Sequence, residues 1–342
     1  MEIYVLTTII IILFGCLGSL SELLRRISIL VSCSLLGVIY AFRSLYCGDD
    51  TLAYSYLFDQ IGSYSFYDLL SSPYEILYTF LNWSIFEFGG SYYNLMSIEA
   101  IILMGALSYF LFKKSRYPWL GILLFMGLGC FHQSMNVSRQ FLAIALVLFS
   151  FVFIDEKKPV KFTLLVFIAS MIHTSAIVAL LLYPITRLNI HGKEWAFVLF
   201  AALVILFKDS IAYAFLLFLS PGYQIVSAQT EGLTLLAVWW GLMMGLCFIS
   251  IKYNNPDVQF TFKLVFLAIL FQTFVGNIPV VGRLSYYFIV PFYLLFPNTI
   301  RNFSSLNMRA FFVLILSGLI VLFYFGFYLQ GGASNTVPYT FQ

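Results

Sequence analysis

The sequence predicts an all-α, polytopic integral membrane protein with about 12 transmembrane helices and a larger external loop at about 43–94. Three observations predict it. The 342 residues are 61% hydrophobic and 10% charged, with a mean hydropathy of +0.95, whereas a soluble domain carries about a quarter charged residues. The apolar residues fall in runs of roughly 15–22, long enough for a hydrocarbon core about 30 Å thick. Runs such as Phe311–Tyr328 are apolar on every face. A barrel would need short alternating strands instead, and backbone groups in lipid must pair within their own segment, as in a helix. A chain of this composition cannot cover a water-facing surface. That excludes a cytosolic enzyme, a secreted disulfide scaffold and a disordered protein. The net charge of +3 is too small and too scattered for nucleic acid.

In chain order, the expected spans are about 3–20, 27–42, 95–112, 117–131, 139–154, 162–183, 195–207, 210–220, 233–251, 263–276, 284–297 and 310–329. Residues 1–342 read as a single membrane domain. The chain starts Met1-Glu2 with no basic stretch, so a cleaved signal peptide is not expected. Basic residues set the facing. With the N-terminus outside, most of the 18 Lys and Arg reach the cytoplasm, among them Arg25, Arg26, Lys113, Lys114, Lys157, Lys158, Lys208, Lys252, Lys263 and Arg301. Arg43, Arg139, Arg187, Lys193 and Arg283 stay outside. Tyr74–Phe88 is the alternative thirteenth span, which would place the N-terminus inside and change the charge balance little. Its 15 residues hold Glu75, Asn82 and Glu87, each costly in lipid, so an interfacial or re-entrant helix is expected there.

Few polar residues remain at depth once the cytoplasmic anchors are removed. Arg139 opens a span within Asn136-Val-Ser-Arg-Gln140, and Arg283 opens another before Tyr286 and Tyr287. Arg43 ends a third, just before Gly48-Asp-Asp-Thr51. One such arginine at a helix end snorkels to the headgroups. Three on the less basic face call for something to retain them, and a guanidinium fork matches phosphate oxygens. His173, within Met171-Ile-His-Thr-Ser175, is expected mid-span, as the only ionisable side chain near a span centre: a neutral imidazole bonded to a carbonyl, a base, or a donor to substrate. Asp49 and Asp50 read either as a solvated loop or as carboxylates kept ionised by arginines and able to take a proton from a hydroxyl. The tyrosines of the 43–94 segment suit an interface and also sugar rings.

The absences are also informative. The sequence has no GxxxxGK[ST] and no HExxH, and its cysteines (Cys16, Cys33, Cys47, Cys130 and Cys247) form no CxxC. No cofactor, metal or redox role is expected.

The order Arg43…Gly48-x-Asp50-Thr51-x-x-Tyr54, Pro73-Tyr-Glu75, Asn136-x-x-Arg139-Gln140-x-x-Ala143, Ala169-x-x-x-His173-x-Ser175 and Arg283-x-x-Tyr286-Tyr287-Phe288 resembles the EpsG family over about 40–290. These are bacterial membrane proteins of exopolysaccharide and O-antigen assembly, regarded as Wzy-type polymerases. Asp49 departs from the small residue often found there, which leaves open which aspartate matters. The resemblance implies a glycosyltransferase of the bacterial plasma (inner) membrane with its active site facing the periplasm or exterior. Its substrate would be an undecaprenyl-pyrophosphate-linked oligosaccharide, its surroundings membrane lipid, and a polysaccharide chain-length regulator a partner. On this reading Arg139 and Arg283 clamp the pyrophosphate, and Asp50, or else His173, is the base. Arg43, Asp49, Glu75, Asn136, Gln140, Tyr286 and Tyr287 hold substrate. An acyltransferase decorating surface glycans, an O-antigen ligase, a lipid-linked sugar flippase and a structural scaffold are the rival readings.

Overall fold

The computed structural model describes residues 1–219 and 231–342. They are helical almost throughout, and their only β pairing among the described residues is an isolated bridge between Arg43 and Phe341. Contacts divide the chain, read from sequence as one domain, into two units: Met1–Leu180 with Phe303–Gln342, and Leu181–Asn302.

The first unit holds α1 (Glu2–Gly18), α2 (Glu22–Ala41), α3 (Thr51–Gly62), α4 (Phe66–Leu70), α5 (Ile76–Glu87) and α6 (Tyr92–Lys114). It continues with α7 (Pro118–Gly127), α8 (Cys130–Asn136), α9 (Ser138–Asp155), α10 (Pro159–Ser170) and α18 (Leu306–Phe323), which runs into a π turn at Tyr324–Tyr328. Local chemistry starts these helices. Ser21 accepts from the Leu24 amide at the head of α2, and Ser65 with Asp68 forms a capping box on α4. Pro118 and Pro159 sit in the first turns of α7 and α10, where a missing N–H costs nothing. In α1, Thr7 and Thr8 return their hydroxyls to carbonyls one turn back, so neither is an open donor in lipid.

Two sets of contacts mark the ends of this unit. At one, Lys114 pairs with Asp155, and Arg25 donates to the Ser115 carbonyl (3.1 Å). That is the end expected in the cytoplasm. At the other lie the 43–94 segment, the start of α9 and the residues after Tyr328. The helix α5 has 12 residues, or about 18 Å at 1.5 Å each, too short to cross. The sixth expected span, 162–183, is not one helix. It stops at Ser170, turns through Met171–His173, and resumes as a 3-10 helix at Thr174–Leu181.

The second unit holds α11 (Leu182–Arg187), α12 (Glu194–Leu206), α13 (Lys208–Leu219), α14 (Glu231–Tyr253), α15 (Pro256–Gln272), α16 (Pro279–Arg283) and α17 (Tyr286–Leu295), then a 3-10 helix at Phe296–Asn302. Its hydrogen bonds correct the expected alternation. Ser250 donates to Glu194 (2.9 Å), and Asn255 to Asn302 (2.8 Å). Asn277 donates to Asp209 (2.8 Å) at the opposite end. Alternate crossing at 195–207, 210–220, 233–251 and 263–276 would put Glu194 and Ser250 on opposite membrane faces, and likewise Asp209 and Asn277. A hydrogen bond cannot bridge about 30 Å. α13 meets α12 at a 68° bend, and its 12 residues make about 18 Å, so 210–220 is not a crossing of its own; residue 220 lies outside the described residues. α14, with 23 residues and about 34 Å long, makes the return. Lys193 therefore shares an end with Lys252 and Arg301, and Lys208 shares the other with Asn277.

Lys263 is corrected too. Expected as a cytoplasmic anchor, it lies buried inside α15 and donates to the Leu188 carbonyl (2.6 Å) just past α11. There it satisfies an acceptor that helix geometry leaves open.

Among the described residues, five helices are long and apolar enough to cross a membrane: Glu22–Ala41, Tyr92–Lys114, Ser138–Asp155, Pro279–Asn302 and Leu306–Tyr328. A sixth appears if the bent α12–α13 pair is counted as one. Cysteines placed at Lys193 and Lys252 in a cysteine-free background are expected to react with an impermeant maleimide from one side of the membrane, and a cysteine at Val280 from the other. Labelling of 193 and 252 from opposite sides would restore the alternating topology.

Candidate functional site

The break after α10 is the starting point. A chain that leaves its helix inside an apolar run exposes backbone groups that lipid cannot satisfy. Here the head of α5 satisfies them. The Leu77 amide donates to the Met171 carbonyl (2.9 Å). The Thr174 amide (2.9 Å) and hydroxyl (3.1 Å) donate to Glu75 Oε1. His173 Nδ1 lies 3.4 Å from the same oxygen. The other oxygen, Oε2, accepts from Arg139 in the first turn of α9 (3.1 Å). His173 is thus not mid-span; it stands on the broken turn beside Glu75 and Arg139.

The Arg139 guanidinium faces the rings of Tyr54, Tyr74 and Tyr78, with centroids at 6.0, 5.3 and 5.4 Å. Its Nε has no hydrogen-bond partner, and the side chain keeps 19% exposure. This is a partly exposed cation held in place by one carboxylate and three π faces. Burial opposes the charge of Glu75. The His173 contact, the Thr174 amide and the Arg139 charge outweigh it and hold the carboxyl at about 2.

Asp49 and Asp50 lie one motif away. Gly48 has φ +106°, and a Cβ there would stand 2.7 Å from Asn136 Oδ1, so the turn needs glycine for both its backbone and its packing. Thr51 returns its hydroxyl to the Cys47 carbonyl (2.8 Å). Asp49 accepts from Asn335. Asp50 occupies the N-cap of α3 yet makes no cap bond; its φ −99° and ψ −6° are not the extended geometry a capping carboxylate uses. Tyr54, one turn on, carries the line from Asp50 to Arg139.

Asn136 is buried and donates to the Ser334 carbonyl (3.1 Å), and Gln140 is buried in α9. Arg43, expected to hold substrate, is fully buried. It donates to the carbonyls of Tyr40 (2.6 Å) and Met135 (3.3 Å) and covers the Tyr40 ring, so its guanidinium works within the packing. Arg283 is exposed at the end of α16, with Tyr286 and the buried Tyr287 opening α17; these belong to the second unit.

Sequence reasoning missed three residues. Glu99 is buried in α6, where its oxygens accept from Tyr40 (2.9 Å) and Ser138 (3.2 Å); an acid inside the expected 95–112 span was the signal. His132 is buried between the Thr336 and Tyr324 hydroxyls. The Thr336 hydroxyl donates to the Ala333 carbonyl, so His132 Nδ1–H donates to Thr336 and Nε2 accepts from Tyr324. Asn335 is the third, with no signal in its own surroundings.

Four stretches far apart in sequence, at 48–54, 73–78, 136–140 and 169–175, therefore meet within one unit. A family model, the EpsG family, matches residues 26–341. The chain belongs to the EpsG family. No curated protein and no solved structure matches it. EpsG is a Wzy-like polymerase family, and the motifs on which the EpsG resemblance was drawn include the four stretches that converge.

A carboxyl held below its ordinary pKa of about 4.3 adds stability that is complete above that value and lost as pH falls through the folded one. E75Q is expected to melt earlier than the parent protein at pH 7, with Tm read by tryptophan fluorescence in detergent. The gap should persist to about pH 4.5 and close as pH falls toward about 2, where the parent's Glu75 is itself protonated. Equal melting at pH 7 would remove Glu75 from this role.

Proposed function

We propose that this protein is a polysaccharide polymerase that joins oligosaccharide repeat units carried on a polyprenyl diphosphate, at the outer face of a bacterial plasma membrane. The observation that carries the reading is the Arg139 cluster: a fixed, partly exposed cation walled by tyrosines and paired with Glu75, which also meets His173. The family supports the same role. In the step, the acceptor hydroxyl attacks the anomeric carbon of the growing chain, the carbon–oxygen bond to the diphosphate breaks, and the hydroxyl proton goes to a base. The bond energy resides in the glycosyl diphosphate.

Arg139 stabilises charge on the leaving diphosphate. Asp50, unspent on its own helix, is the first choice for the base, and His173 the second. Glu75 sets Arg139 and His173 instead of holding sugar. Tyr54 and Tyr74 offer ring faces to the saccharide. A groove of about 730 Å³ between α2 and α6, lined by Leu30, Val38, Ala100, Ile101 and Met104, suits an isoprenoid tail. O-antigen, capsule or free exopolysaccharide all fit as product.

R139A in a deletion host is expected to collapse the glycan ladder to single repeat units on the lipid carrier, seen on gels of extracted glycan. R139K should polymerise at least about tenfold more slowly than the parent, because an ammonium lacks the guanidinium fork. A full ladder from R139A would end this reading. Long chains lacking only an acyl group would indicate an acyltransferase, and long chains unattached to their acceptor a ligase.

A further inference from the structure

The residues after the π turn form a strap over the outer ends of α1, α2 and α8. Ala333, Ser334 and Asn335 are consecutive left-handed residues, with φ +44°, +57° and +56°, a conformation unfavourable for non-glycine residues. Four successive carbonyls are each given a donor. Thr336 Oγ1 donates to Ala333 O (2.7 Å), Asn136 Nδ2 to Ser334 O (3.1 Å), the Gly48 amide to Asn335 O (2.9 Å) and the Tyr4 hydroxyl to Thr336 O (2.8 Å). Gln133 holds the Ser334 hydroxyl (2.8 Å), and the Ser44 amide donates to Thr340 O (2.8 Å). Asn335 also reaches Asp49 with its side chain.

Two of these bonds fall on the turn that carries Asp50. The Gly48 amide and the Asp49 carboxylate both engage Asn335, while Asp50, next in line, caps nothing. Left to itself, an N-cap aspartate folds onto the amides of its own helix. The geometry points to Asn335 as a positioning residue for the proposed base: it grips Gly48 and Asp49 from outside, and so holds Asp50 out of its capping conformation and free for the acceptor hydroxyl. This rests on the polymerase reading above. It also moves Asp49 from substrate contact to the grip.

The test uses full-length protein in liposomes supplied with lipid-linked repeat units. N335G keeps the left-handed backbone and its bond to Gly48 but removes the bond to Asp49. It is expected to lower kcat about tenfold or more, with KM for the lipid-linked unit within about twofold of the parent. Hydrogen–deuterium exchange should rise at 47–54 and stay unchanged at 171–177. N335D, which sets two carboxylates together, should be at least as poor. The swap D49N with N335D restores a donor–acceptor pair and should recover most of the parent rate. Parent-level kcat in N335G, unchanged exchange at 47–54, or a double variant no better than N335D would each overturn the proposal. Parent protein that polymerises nothing would instead sink the polymerase reading, leaving exchange at 47–54 to decide the strap by itself.

Discussion

One carboxylate, Glu75, joins the 43–94 segment to α9 and to the turn that follows α10. Its two oxygens are divided between the broken turn at His173–Thr174 and the arginine that opens α9. Each partner needs it for a different reason. The turn has amide donors that lipid cannot satisfy. The arginine is a half-buried cation among aromatic rings, and an unpaired buried charge is strongly destabilising. The helix break, the short α5 and the Arg139 cluster are therefore one arrangement. Replacing any of the three leaves the other two with an unmet backbone group or an unmet charge.

The general character of the fold was legible because lipid imposes it: runs of apolar residues must be helical. The number of crossings was less legible. Length and hydropathy cannot tell a 12-residue apolar helix that turns back from one that continues, and α5, α10 and α13 are all of that length. In the second unit the misreading began at the α12–α13 bend, where Lys208-Asp209 looked like a cytoplasmic loop between two crossings. The bond from Asn277 to Asp209 shows these residues at the end where α15 finishes.

Much of the site was legible in motif order. Arg139 and His173 were marked by charge or imidazole in apolar runs, and Glu75 and the Gly48–Thr51 turn by their place in the motif order of the 43–94 loop. The break at His173 was not, because Met171-Ile-His-Thr-Ser175 contains neither glycine nor proline. It is made by tertiary partners that take over the hydrogen bonds the helix gives up. The strap was hidden for a related reason. Most of what it offers is backbone carbonyl, which every residue has, and its left-handed run is built from Ala, Ser and Asn instead of glycine. Arg43 and Arg139 look alike in the sequence because each stands at a span end; packing separates them, burying Arg43 against the Tyr40 and Met135 carbonyls.

Beneath the site runs a second polar layer. Glu99 on α6 accepts from Tyr40 on α2 and from Ser138 on α9, and Arg43 covers the Tyr40 ring. Three spans are thus tied at one level, and the tie on α9 falls on the residue immediately before Arg139. Apolar packing alone would let these helices slide or rotate, since lipid tails are as apolar as leucine and give little preference for one register. Directional bonds to a buried carboxylate admit few registers. Turning α9 by one residue would rotate Arg139 by about 100°, away from Glu75 and its tyrosines. The Glu99 layer therefore does for the rotation of α9 what Glu75 does for the 43–94 segment, and the position of the cation depends on both.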